Sequence, residues 1–377
     1  MNKNTSSLVS VCTTFFSAER YIHRFLDSCL NQTYKNIEVV VVDSASVDGS
    51  EKIVREYAAR DSRIKYFRSA ENIGLTLSFM KVMELVRGDF VMLVGADDWL
   101  ARDYVENGVR SFLEHPDAAG VVPKLVSLRE VDDKFEFLDE TEFPLKTYPA
   151  EWFIKPVYRI KYLHMGALAL IRKKDVVSAM NYFFVNYCQN PPASIPEKLH
   201  DLFWKGFGTD AMLFMEVLTR YKNFVFDSSL SYMKIAHGKN LQFDLGYGSL
   251  AEIFKYFHYY MLTFKYICKL KWAKSYHGIK IFLGAEALSS AFIYFFRRGL
   301  RPSFLNFKES KGLIYEFFSE FSFFEIIAVI ARSILRTAYR CFSFIVRKFI
   351  GRSEHKNEKF LFTRENFLDS EGRFNIS

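Results

Sequence analysis

Short apolar runs alternate with amphipathic stretches through the N-terminal part of the chain. Four runs have the length and apolar content of buried strands, at residues 8–12, 37–42, 64–67 and 90–94. Three stretches between them space their apolar residues as helices do, at residues 18–30, 50–59 and 75–86. This alternation predicts an α/β fold with a mainly parallel sheet and flanking helices.

Acidic residues follow the predicted strands directly. Asp43 comes after the second strand, and Asp97 and Asp98 come after the fourth. Because ligands of parallel sheets bind beyond the carboxyl ends of the strands, these carboxylates indicate a ligand site at one edge of the sheet.

The pattern changes twice along the chain. Residues 120–245 are less regular, with one further helix predicted at Asp210–Tyr221, and aromatic helices rich in Lys and Arg begin near residue 250. We therefore predict a first domain at 1–248, a basic helical region at 249–352 and a polar tail at 353–377.

Charge separates the helical region from the rest. The chain carries a net charge of +8, and residues 251–350 hold sixteen Lys and Arg against six Glu and no Asp. An anionic membrane surface is the partner that this imbalance favours, and no nucleic-acid recognition motif accompanies it. The five cysteines show no Cys-x-x-Cys spacing, which favours a reducing compartment over a disulfide framework or a zinc site.

Several segments together resemble family 2 glycosyltransferases in order and spacing. The stronger ones are Val9–Ser17, Leu30–Tyr34, Val41–Ser50 and Gly88–Leu100, and the weaker ones are Gly208–Asp210 and Tyr232–Gly238. The resemblance implies a GT-A fold, a nucleoside-diphosphate sugar donor such as a UDP-sugar, a divalent cation (Mg²⁺ or Mn²⁺) and inversion at the anomeric carbon. A cation is chemically sensible because it neutralises the charge that gathers on the departing diphosphate.

By the same resemblance, a set of residues near the strand ends binds the nucleotide: Thr14, Phe16, Asp43, Asn72, Ala96, Asp97 and Asp98. The cation is assigned to Asp97 and His237. The alternatives are an Asp43 that bonds nearby backbone N–H groups, and an exposed acidic turn at Asp97 and Asp98. Trp99 is predicted to be a packing residue.

Two positions depart from the family pattern. Gly95 stands where the first carboxylate of the metal motif is expected, and Phe79 stands where many members carry Arg. The loss of the first carboxylate weakens the expectation that transfer depends on a metal.

Inverting transfer also needs a base for the acceptor hydroxyl. Asp210 matches the family's base position, and the alternative role for it is a helix N-cap.

These features predict an inverting glycosyltransferase acting on a glycan or lipid-linked acceptor, in cell-surface polysaccharide or O-antigen-type assembly. One alternative is a catalytically decayed membrane-bound scaffold, for which Gly95 and Phe79 argue. The other is a sugar nucleotidyltransferase, which needs a Gly-rich phosphate loop near the first strand, whereas residues 13–17 contain no glycine.

Arginines recur at helical spacing near the C-terminus. Arg332, Arg336, Arg340 and Arg347 fall on one stripe of a predicted helix that also carries a broad apolar surface. This pattern is typical of a helix in a membrane interface, and also of a packed helix with snorkelling arginines. No apolar run reaches the roughly 18–20 residues of a spanning helix. The expected location is cytoplasmic, peripheral on the inner face of the cell membrane.

Overall fold

The computed structural model describes two compact units. The first comprises residues 7–131, 134–141, 146–150, 168–190 and 209–236, and the second comprises residues 280–281, 284–285, 287–291, 311, 314–315, 317–319 and 321–349. The units divide after Ala236, while the predicted boundary near Tyr247–Leu250 and the predicted polar tail lie outside the described residues.

Strands and helices alternate as the sequence predicted. The strands are β1 (Val9–Phe15), β2 (Ile37–Asp43), β3 (Ile64–Arg68), β4 (Phe90–Leu93), β5 (Trp99–Leu100), β6 (Val121–Val131), β7 (Lys134–Glu140), β8 (Thr147–Pro149), β9 (Ile171–Arg172) and β10 (Asn223–Ala236). The α-helices are α1 (Ile22–Leu30), α2 (Ser50–Arg60), α3 (Gly74–Leu85), α4 (Tyr104–Glu114), α5 (Lys173–Phe183), α6 (Thr209–Leu218) and α7 (Phe323–Phe349), and a π-helical turn (Phe184–Gln189) continues α5. The predicted α/β fold class is confirmed, and the predicted elements differ from the observed ones mainly at their ends.

The first sheet has the strand order β3-β2-β1-β4-β9. The strands β1 to β4 run parallel, and β9 pairs antiparallel with β4. Every residue of β2 is buried, as expected for a strand covered on both faces. The carboxyl ends of four strands therefore meet at one edge.

A second sheet has the order β5-β10-β6-β7, with β8 also paired to β10. Its longest strand, β10, pairs parallel with β6 and antiparallel with β5. Trp99 is 1% exposed and packs edge-on against Phe135, with ring centroids 4.9 Å apart. The prediction that Trp99 is a packing residue is confirmed.

The second unit contains the long helix α7. The backbone N–H of Ser322 donates to Glu325 Oε2 at 2.7 Å and that of Glu325 donates to Ser322 Oγ at 3.4 Å, a reciprocal cap of the first turn. Lys280 Nζ lies 2.9 Å from Glu325 Oε2. Burial raises the pKa of Glu325, but the bonds from Ser322 and Lys280 outweigh it and lower that pKa to about 2. Among helices of the described residues, none has the length and hydropathy needed to cross a membrane.

Gln32 ties α1 to the segment that follows β5. Its Nε2 donates to the carbonyl oxygens of Ser28 at 2.9 Å and Ala101 at 2.7 Å, and its Oε1 accepts from the N–H of Val105 at 3.0 Å. Gln32 is completely buried, so these backbone groups have no access to water as an alternative partner.

We expect Gln32→Ala to lower the free energy of unfolding by about 2–4 kcal/mol, because each buried polar group left unpaired costs ~1–3 kcal/mol. The measurement is urea unfolding followed by circular dichroism. Thr33→Ala, at the adjacent exposed position, is the control and should change stability little. Equal stability of the two variants would show that Gln32 does not stabilise the contact between α1 and the segment after β5.

Candidate functional site

The loops that follow β1 and β2 are tied together. The backbone N–H of Ser17 donates to Ser46 Oγ at 2.8 Å, and that of Ala18 donates to Ser50 Oγ at 2.9 Å. Ser17 and Ala45 adopt φ angles of 58° and 59°, a region that L-residues enter only when surrounding contacts hold them there. The two loops are thus joined by hydrogen bonds into one wall at the carboxyl edge of the first sheet.

Asp43 is the inner anchor of this wall. It is fully buried at the end of β2, where its Oδ1 accepts from the N–H of Ser46 at 2.8 Å and its Oδ2 accepts from the hydroxyl of Tyr66 at 2.8 Å. Arg68 Nε lies 3.6 Å from Oδ2. Burial and the bond to Asp43 raise the pKa of Tyr66 above its ordinary value. The bond from the N–H of Ser46 is the kind expected of the alternative role for Asp43, in which it bonds nearby backbone N–H groups.

Asn72 belongs to the same edge. Its Oδ1 accepts from Ser44 Oγ at 3.0 Å and from the N–H of Gly74 at 3.0 Å, while Ser44 Oγ accepts from the N–H of Ile73 at 3.0 Å. The loop after β3 is thereby joined to the loop after β2. Three of the predicted donor-site loops therefore form one hydrogen-bonded assembly.

Thr14 and Phe16 lie at the end of β1. Thr14 is paired with Val42 of β2 and is partly buried. Phe16 follows the strand and is 49% exposed, beside the wall formed by the two loops. An exposed aromatic face at a strand end is suited to stacking on a planar ring.

The turn after β4 carries the other acidic residues. Ala96 is buried and Asp97 is partly buried, whereas Asp98 is only 8% exposed. Asp98 Oδ1 accepts from the N–H of Ile235 at 2.9 Å, and Asp98 Oδ2 accepts from the hydroxyl of Tyr232 at 2.7 Å. The two aspartates therefore differ: Asp98 is bonded to β10 through both oxygens, and Asp97 is the more accessible.

The electrostatics of the turn follow from this burial. Burial and the neighbouring charge of Asp97 raise the pKa of Asp98, and the charge of Lys234 with the bonds from Ile235 and Tyr232 offsets only part of that rise.

Gly95 lies against both carboxylates. A Cβ atom at this position would be 2.7 Å from Asp97 Oδ1 and 2.8 Å from Asp98 Oδ2, closer than real Cβ contacts. The carboxylates occupy the space that a side chain at position 95 would need. The packing around Gly95 is thus consistent with the lack of a carboxylate at this position.

This arrangement fits a divalent cation of the kind that binds together with phosphates. Among the described residues, no group of three or more His, Cys, Asp or Glu could hold a metal ion. Mg²⁺ is commonly bound by one or two carboxylates plus substrate phosphates and water, and the accessible carboxylate of Asp97 meets that requirement. The predicted second ligand, His237, lies outside the described residues, directly after the last residue of β10.

The predicted base Asp210 is the second residue of α6, which begins at Thr209. The predicted helix at Asp210–Tyr221 is therefore present with slightly different ends. The side chain of Asp210 lies outside the described residues.

Sequence reasoning assigned no role in the site to three residues that hold it, although Tyr232 opens one of the segments that resemble the family. Tyr66 and Arg68 of β3 meet Asp43, and Tyr232 of β10 meets Asp98. Arg68 is paired with Asp43 in the register of β2 and β3, so aligning the two strands would have found it. Tyr232 follows Asp98 far along the chain, and no local pattern links them.

Comparison with known proteins shows which family the first part of the chain is similar to. The model of the family "Glycosyl transferase family 2" matches residues 10–167. Glycosyltransferase GlyA of Streptococcus pneumoniae is 36% identical over 129 residues, which are 34% of this chain and 18% of that protein. Putative glycosyltransferase EpsH of Bacillus subtilis is 39% identical over 103 residues, which are 27% of this chain and 30% of that protein.

A crystal structure of S. aureus TarS 1-349 in complex with UDP-GlcNAc shares the fold. Its TM-score is 0.59 at 16% sequence identity, and the match covers 87% of this chain and 89% of that one. The chain spans less than a third of the length of the two curated relatives named above. The fold and the family match agree with the resemblance predicted from the sequence: residues 10–167 match the family 2 glycosyl transferase model, and the chain has a GT-A fold.

Proposed function

We propose that the chain transfers a glycosyl group from a UDP-sugar to a hydroxyl of a glycan or lipid-linked acceptor, with inversion at the anomeric carbon. The proposal rests on the groups that lie together at the carboxyl edge of the first sheet. There the interlocked loops after β1, β2 and β3 stand beside the Asp97 and Asp98 turn after β4, all within a family 2 domain.

The loop assembly is assigned to the nucleotide. Phe16 offers an exposed ring for the base, and Asn72 is fixed at the same edge by Ser44. Asp43 is fully buried and supports these loops through its bond to the N–H of Ser46. The fold shared with TarS, solved with UDP-GlcNAc, supports a UDP-sugar donor.

The cation is assigned to Asp97, with His237 as its second protein ligand. When bound, it would neutralise charge on the departing diphosphate. Asp210 is assigned to accept the proton of the acceptor hydroxyl as that oxygen attacks. Cell-surface polysaccharide or O-antigen-type assembly is the setting that we propose for the reaction.

The apolar face of α7 is assigned to an anionic membrane on the cytoplasmic side. One side of the helix, with Glu325, Val329 and Ser333, is buried. Another side carries large exposed apolar residues, at Phe323, Phe324, Ile327, Ile330, Ile334 and Leu335. These apolar residues are exposed on a helix that belongs to a strongly basic region. Such a helix is suited to an anionic membrane, whose headgroups attract the basic residues and whose interior takes up the apolar ones.

The arginine stripe is only partly described. Arg332 is exposed and Arg336 is partly buried, while the side chains of Arg340 and Arg347 lie outside the described residues. The membrane proposal therefore rests more on the exposed apolar residues than on the arginines.

We expect Asp97→Asn to reduce kcat/KM for a UDP-sugar by about a hundredfold or more, because a metal supplies several kcal/mol of transition-state stabilisation and ~1.4 kcal/mol is a tenfold change in rate. The parent is first screened against a panel of nucleotide sugars with Mn²⁺ for binding and slow hydrolysis. Asp117→Asn, at an exposed position, is the control. Undiminished activity in Asp97→Asn removes the cation assignment, and a parent that binds UDP without turnover supports the decayed scaffold.

Asp210→Asn tests the base. The substitution keeps the size of the side chain and removes its charge, so we expect kcat to fall by about 10²–10⁴ with the KM for the donor little changed. Steady-state kinetics and thermal unfolding are measured on the same preparation. A lower melting temperature with an unchanged kcat would show that Asp210 serves the helix instead.

Replacing Ile327, Ile334 and Leu335 together by Ser tests the membrane face. We expect at least tenfold weaker co-sedimentation with anionic vesicles, since fully burying one such side chain is worth ~1.5–3 kcal/mol. Arg332→Glu should weaken mainly the salt-sensitive part of binding, by about 1 kcal/mol or more. Phe137→Ser, at a 50% exposed position of the first unit, is the control. If the parent protein does not bind anionic vesicles, the assignment is refuted. Vesicle binding that resists alkaline carbonate would indicate a spanning segment.

A further inference from the structure

Tyr232 joins the acidic turn to β10. Its side chain is fully buried, and its hydroxyl donates to Asp98 Oδ2 at 2.7 Å while accepting from the N–H of Gly95 at 3.0 Å. One phenol therefore bonds both the first and the last residue of the turn.

The turn is also bonded by the main chain of β10. Ile235 donates its N–H to Asp98 Oδ1 at 2.9 Å, and Tyr232 is the pairing partner of Leu100 in β5, two residues beyond Asp98. The strand ends at Ala236. The same segment thus holds the turn that bears Asp97 and leads directly to residue 237.

We propose that Tyr232 is a positioning residue for the cation, acting through Asp98 and the backbone of Gly95 to fix the carboxylate of Asp97. The proposal rests on the proposed function, in which Asp97 and the donor diphosphate hold a divalent ion. In this arrangement Asp98 is an anchor, because both of its oxygens already accept bonds from β10.

Gly95 explains why such an anchor is needed. Glycine has more backbone freedom than any other residue, and the turn lacks the side chain that the family pattern expects here. A bond from its N–H to the Tyr232 hydroxyl removes part of that freedom. Without the hydroxyl, Gly95 N–H and Asp98 Oδ2 would lose this partner, and the turn that carries Asp97 would lose two of its bonds to β10.

The test compares Tyr232→Phe with Tyr104→Phe. Tyr104 is also fully buried in the first unit, and its hydroxyl donates to the carbonyl oxygen of Leu168 at 2.9 Å, away from the acidic turn. Both variants lose one buried phenol hydroxyl. Loss of packing or of general stability should therefore affect them alike.

We expect Tyr232→Phe to weaken Mn²⁺ binding in the presence of UDP by about 10–100-fold, the usual effect of removing a partner of a metal ligand, with Tyr104→Phe within twofold of the parent. Calorimetric titration of Mn²⁺ into the UDP-saturated full chain measures this. Amide hydrogen exchange without ligands should be faster at residues 95–98 in Tyr232→Phe alone.

Equal Mn²⁺ affinity of the two variants, in a parent that binds Mn²⁺ and UDP, overturns the positioning role and leaves the proposed function intact. A parent that binds no UDP overturns the proposed function and the positioning role with it. Unchanged hydrogen exchange at residues 95–98 in Tyr232→Phe also overturns the role, since the hydroxyl would then not restrain the turn.

Discussion

Two buried carboxylates at the edge of the first sheet determine how the site is assembled. Asp43 and Asp98 are removed from water at the ends of segments that begin in β2 and β4. A buried carboxylate without hydrogen-bond donors is strongly unfavourable, so each must draw donors from nearby elements. For Asp43 these are Ser46 and Tyr66, and for Asp98 they are Tyr232 and Ile235. Providing hydrogen-bond donors for the two buried carboxyl groups brings loops and both sheets to the same place.

The two carboxylates connect elements over different distances. Asp43 bonds within its own loop and to the next strand, so the donor wall is a local consequence of the parallel ladder. Asp98 instead bonds to β10, which belongs to the second sheet and lies far along the chain. Assembly of the acidic turn therefore depends on the second sheet as well as on the first.

This difference separates what the sequence could predict from what it could not. The run Ile37–Val42 is buried on both faces, and such runs identified the first sheet. The strand β10 mixes Asp227, Lys234 and several serines with apolar residues and contains a register shift, so it gives no clear period-2 signal. Its neighbour β6 includes Pro123, which also argues against a strand. The positions of Asp43 and Asp97 followed from strand ends, whereas the partner of Asp98 depended on a long-range contact.

The packing at Gly95 has a consequence for how a cation would bind. Because the carboxylates of Asp97 and Asp98 fill the space of a side chain there, and Asp98 is bonded to β10, Asp97 is the accessible carboxylate of the turn. A hard cation held by so few protein oxygens needs further oxygen ligands, and in the proposed function the donor diphosphate supplies them. The cation and the donor should then bind together, each strengthening the binding of the other, because linkage between two sites is reciprocal. Because the turn lacks the first carboxylate of the family motif, binding of the cation would thus depend less on the protein and more on the donor.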